Sequence, residues 1–84
     1  MARTNFSEAF AAVLKRHRLG CGLSKNALSE RAGLHQTHIG LLESASRNVT
    51  LNTAAALAEA LGVPLSQLIA EAEELRRKQP QTRS

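Results

Sequence analysis

The stretch AGLHQTHIGLLE, residues 32–43, sets Gln36 and Thr37 between two of the chain's three histidines, His35 and His38. Amides, hydroxyls and imidazoles both donate and accept hydrogen bonds. That is what reading the edges of bases requires, whereas long lysines mostly find phosphates. Catalysis fits these residues poorly. The chain has no Asp; His35 and His38, three apart, permit one shared metal but lack a third ligand. His17 belongs to the inward face of an earlier segment. Neither enzymatic activity nor a metal or other cofactor is expected, and no small-molecule ligand is evident.

Cys21 is alone, which excludes an internal disulfide framework and a Cys-rich zinc site and suits a reducing, cytoplasmic setting. No apolar run follows Met1 as a secretory signal would, and none approaches the roughly 20 residues of a membrane span. The net charge of +4 is unevenly placed. Up to Thr50, Arg3, Lys15, Arg16, Arg18, Lys25, Arg31 and Arg47 outnumber Glu8, Glu30 and Glu43; from Leu51 onward, four bases balance four acids. An excess of cations confined to the first half points to a polyanionic partner such as nucleic acid.

The elements that must hold this stretch are all helical. At 84 residues the chain makes one small domain, 43% hydrophobic and nearly free of aromatics, so its core is aliphatic. Ser7 is a cap for a first helix ending near Leu19, with Phe6, Phe10, Val13, Leu14 and His17 on one face. LGCG breaks it. Ser24 caps a helix over Lys25–Ala32, Gly33 ends that, and a third helix follows from about Gln36 to Ser44. Thr50 caps a fourth to Leu61, with Leu51, Ala54, Ala55, Ala58 and Leu61 on a stripe. Gly62 and Pro64 separate it from a last helix over Leu65–Lys78. The expected architecture is all-α, with an N-terminal arm at 1–5, five short helices within 6–78, and a polar tail at 79–84.

Two short helices joined by a tight glycine turn must cross steeply, and small residues are needed where they touch. Leu28, Ser29, Gly33, Ile39 and Leu42 have the types and spacing of a helix-turn-helix. The run GLSKNALSERAGLHQTHIGLLESASRNVTLNTAAALAEALGVPLSQL resembles the Cro/C1-type (XRE) helix-turn-helix regulators of bacteria and phage, and SRNVTL is similar to restriction–modification controller proteins in particular and to many ordinary regulators of this family too. The likeness spans about 6–69. It implies a five-helix, lambda-repressor-like domain whose third helix enters the major groove of double-stranded DNA. It further implies a homodimeric transcription regulator on a palindromic operator, the two reading helices roughly 34 Å apart. Repression, including of its own promoter, is the simplest role such a resemblance implies.

If Ile39 faces the core, Thr37, Gly40, Leu41 and Ser44 face outward. Gln36 is a candidate for paired hydrogen bonds to adenine, and Thr37 for a hydroxyl or methyl contact. Leu41 either packs on thymine methyls or lies half-buried beside Leu42. Gly40 costs helix propensity, which close approach to DNA would justify and simple tolerance would also explain. Ser24, at a helix start, can attract phosphate. The resemblance assigns phosphate contacts to Lys25, Arg47 and Asn48, puts His38 near the sugar–phosphate wall, and pairs Arg18 with Glu43 as a structural ion pair. It also puts glycine where this chain has Ala45.

Leu61, Val63, Leu65, Leu68, Ile69 and Ala72 form an apolar surface that the core of so small a domain should not cover, and they are the expected dimer interface. Two other readings remain open: an antitoxin that binds DNA and grips a toxin with the segment from Glu71, and a protein-binding helical module without DNA binding.

Overall fold

The computed structural model describes residues 5–78. The expected tail, and the arm except for residue 5, lie outside them. Five helices follow in order: α1 (Phe6–Gly20), α2 (Lys25–Ala32), α3 (Gln36–Glu43), α4 (Leu51–Leu61) and α5 (Leu65–Lys78), with no strand among the described residues. The caps explain most of the boundaries. Ser24 accepts from the Ala27 amide at 3.0 Å and Thr50 from the Thr53 amide at 3.1 Å, each satisfying a donor that the helix start cannot pair internally.

The first cap differs from the sequence expectation. Asn5, not Ser7, caps α1, its side chain accepting from the Glu8 amide at 2.8 Å. Ser7 lies inside the first turn, where its hydroxyl donates to Asn48 instead. The helix also continues through Gly20, one residue past the expected stop.

α1 lies along α5, while α2 packs on α3 and α4. Phe10, Val13, Leu14, Leu28, Ile39, Leu57 and Leu68 are the large side chains removed from solvent at the centre. Burial of each contributes about 1.5–3 kcal/mol before the entropy of ordering is subtracted. On α4 the inward face is Ala54, Leu57, Ala58 and Leu61. Leu51, expected inside, is 75% exposed, and Ala55 is exposed as well. In LNTAAALAEAL several apolar stripes compete, and the neighbours select the one that carries Leu57.

The α5 stripe is corrected in the same way. Leu68 and Ala72 are fully buried in this chain's own core and Leu61 nearly so, leaving no appreciable surface for a partner. Val63, Leu65 and Ile69 remain half-exposed. Glu71, which would open a toxin-gripping tail, is fastened to α1 instead. Its Oε1 accepts from Arg16 and pairs with His17 Nε2, each at 2.8 Å, while Oε2 accepts from Gln67 at 2.9 Å. No described helix is long and apolar enough to cross a membrane.

Candidate nucleic-acid interface

The geometry of α3 begins at Gly33. Its φ of 71° lies in the left-handed region that glycine enters without penalty, letting the Leu34 amide donate back to Ser29 O at 2.9 Å and turn the chain sharply. Ser29 is buried at the crossing, and its hydroxyl donates to Asn26 O at 2.7 Å, so no polar atom there is stranded. α3 then starts at His35, which supplies no side-chain cap, and lays Ile39 and Leu42 into the core.

With those two anchored, the opposite edge of α3 is fixed. Gln36 and Thr37 are exposed at its amino end; His38, Gly40 and Leu41 are half-exposed. Leu41 thus keeps part of its surface free while resting partly on the fold. Added at Gly40, a Cβ would meet open space, so nothing among the described residues demands glycine there.

Arg18 locks this helix from behind. Its Nε donates to Glu43 Oε2 at 2.6 Å and a terminal nitrogen to Oε1 at 3.1 Å, a two-pronged pair. The other terminal nitrogen donates to Leu23 O at 2.8 Å, in the turn before α2. Both ionic side chains are under one-tenth exposed, so the charges are desolvated together and must stay together.

The exit from α3 is unusual. The Ser46 amide reaches back to Leu41 O at 2.9 Å and the Ala45 amide to Leu42 O at 3.1 Å, a Schellman closure that needs a left-handed residue. Three other helix ends supply glycine at that place (Gly22, Gly33 and Gly62); here it is Ala45, at φ 60°. Ser44 Oγ donates to Leu41 O, so the hydroxyl proton between Ser44 and Ser46, 2.8 Å apart, comes from Ser46.

Beyond this turn Arg47 and Asn48 are exposed, as are Ser24 and Lys25 at the start of α2. Asn48 Oδ1 accepts from Ser7 Oγ at 2.7 Å. That contact joins residues 41 apart, and no local pattern could have revealed it. The same holds for the cluster of Arg16, His17, Gln67 and Glu71, whose partners are up to 55 positions apart. There the hydrogen bonds from Gln67, Arg16 and His17, in that order, hold the Glu71 carboxyl down to about 2, against the opposing effect of burial. Among the described residues no three His, Cys, Asp or Glu side chains come together as a metal site.

The chain matches the helix-turn-helix family over residues 14–68. It is 38% identical over 65 residues to the control protein C.SmaI of Serratia marcescens, an alignment covering 77% of each chain. Among solved structures, the restriction–modification controller protein C.AhdI of Aeromonas hydrophila superposes with a TM-score of 0.72 at 32% identity, covering 74% of this chain and 94% of that one. The clp gene regulator ClgR of Corynebacterium glutamicum reaches 0.86 at 22% identity, covering 90% and 81%, a likeness of fold.

Proposed function

The chain belongs to the helix-turn-helix family of DNA-binding transcription regulators, a non-enzymatic family, and from that premise we propose that it is a homodimeric repressor reading a palindromic operator with α3 in the major groove. The observation that carries this is the edge of α3. Gln36 and Thr37 stand exposed at the amino end of a helix anchored by Ile39, Leu42 and the Arg18–Glu43 pair, with no side chain at Gly40 to hold the duplex away.

In this reading Gln36, Thr37 and the free surface of Leu41 face base edges. Ser24, Lys25, His38, Arg47 and Asn48 hold phosphates and set the register. The half-exposed Val63, Leu65 and Ile69 supply the dimer contact, with Leu61, Leu68 and Ala72 supporting them from beneath. Two copies related by a twofold axis match the symmetry of a palindrome. Its target in this proposal is the DNA upstream of its own gene, the simplest circuit for such a chain.

The test is a footprint of the purified protein on that upstream DNA at about 150 mM salt, where non-specific binding is weak. A protected, roughly twofold-symmetric site supports the reading. Failure there, followed by failure of selection from random DNA, overturns it. Light scattering addresses the dimer separately: a monomer persisting well above micromolar concentration without DNA removes that part of the proposal.

A further inference from the structure

We propose that Ser7 is a positioning residue for DNA binding: its hydroxyl holds the Asn48 side chain so that the amide nitrogen Nδ2 presents its protons to a phosphate. The inference rests on the reading of Asn48 as a phosphate contact. Asn48 belongs to the irregular segment between α3 and α4, exposed, after the left-handed turn at Ala45 and before the Thr50 cap. An amide there has two broad, nearly equivalent orientations about its last torsion. One turns Nδ2 outward; the other turns Oδ1 outward.

A phosphate oxygen only accepts, so the second orientation sets two acceptors against each other and only the first can bind. The structure shows the first: Ser7 Oγ donates to Oδ1 at 2.7 Å and ties the carbonyl end to α1. Among the described residues no acceptor meets Nδ2. The backbone at Ser7 is itself fixed, since the Asn5 cap sets the first turn of α1. The orienting cost is therefore met when the protein folds and not when DNA arrives. The two members differ in role: Asn48 touches the ligand, and Ser7 acts through it.

The test uses the full chain and an operator duplex recovered by selection, with single phosphates replaced in turn by neutral methylphosphonates. In the parent protein, one such replacement in each half-site should weaken binding through Asn48. Asn48→Ala should lose about five- to tenfold in affinity and become insensitive to that same replacement, while Ser7→Ala should lose about twofold per half-site and respond to it less than the parent does. The double variant should be no weaker than Asn48→Ala alone, and Ser7→Thr, which keeps the donor, should bind as the parent does.

A Ser7→Ala variant that keeps the parent's affinity or its sensitivity at that phosphate overturns the inference. So does a loss that adds fully to that of Asn48→Ala, which would mark Ser7 as merely structural. If Asn48→Ala binds normally while Lys25→Ala does not, the positioning role falls and the regulator stands. If selection recovers no duplex, both fall.

Discussion

Arg18 and Glu43 meet in a two-pronged ion pair of 2.6 and 3.1 Å, in which α1 grips the last residue of α3. The third guanidinium contact, to Leu23 O, draws the turn before α2 into the same node. Three segments are thereby held in one arrangement by one side chain.

Removing one partner of this buried pair leaves the other charge uncompensated. Glu43→Ala is expected to destabilise the domain by about 3–5 kcal/mol, measured as a fall in the urea midpoint at unchanged slope. Replacing both residues with apolar ones of similar volume should recover most of that loss. A Glu43→Ala melt within a few degrees of the parent would contradict the assignment.

Base and phosphate contacts separate by their signatures. Gln36→Ala should relax preference at one base position, at a cost of about 1–3 kcal/mol on the best operator. Lys25→Ala should weaken all duplexes alike and lower the salt slope by about 1. Anisotropy titrations on matched and mismatched duplexes at several salt concentrations distinguish the two.

Gly40→Ala should divide stability from binding. The new methyl meets open space in the free protein, and alanine favours a helix by up to about 1 kcal/mol over glycine. The variant should melt higher yet bind its operator more weakly. A higher melting temperature with unchanged affinity would mean that DNA does not approach this part of α3.

Ala45→Gly is expected to stabilise the protein. A non-glycine residue in the left-handed region costs about 1–2 kcal/mol, partly offset by the greater freedom glycine gives the unfolded chain. A net gain of about 0.5–1 kcal/mol should appear as a raised urea midpoint. No gain would place compensation elsewhere in the turn.

Glu71 predicts an acid-sensitive joint between α1 and α5. Its folded value of about 2 lies below the ordinary 4.5, so its stabilising contribution is complete above the unfolded value and is lost as pH falls from about 5 towards 2. Glu71→Gln should be less stable than the parent at pH 7, and the gap should close towards pH 2. A gap that stayed constant with pH would show that the carboxylate charge is not what counts.

The boundaries were legible where one residue type had one use. Ser24, Thr50, Gly33 and Gly62 mark helix ends by local backbone chemistry, and Ile39 with Leu42 sets the face of α3 by period alone. The rest required partners. Asn5 and Ser7 are both good caps two positions apart, and the choice between them is settled beside Asn48, far along the chain. The α4 face depends on which apolar stripe its neighbours admit. For α5, the apolar residues themselves were readable but not their covering: α1 takes Leu68 and Ala72 away from any partner.

Gln36 and Thr37 make no side-chain hydrogen bond to any other described residue, although Ile39, two positions on, is wholly buried. On the proposed reading, operator choice and folding are therefore written in separate letters along the same eight-residue helix. If positions 36 and 37 read the bases, a lineage whose operator drifts can follow it by exchanging them without endangering the domain. Two copies of one gene in a single cell can diverge to ignore each other's sites through changes confined to that edge.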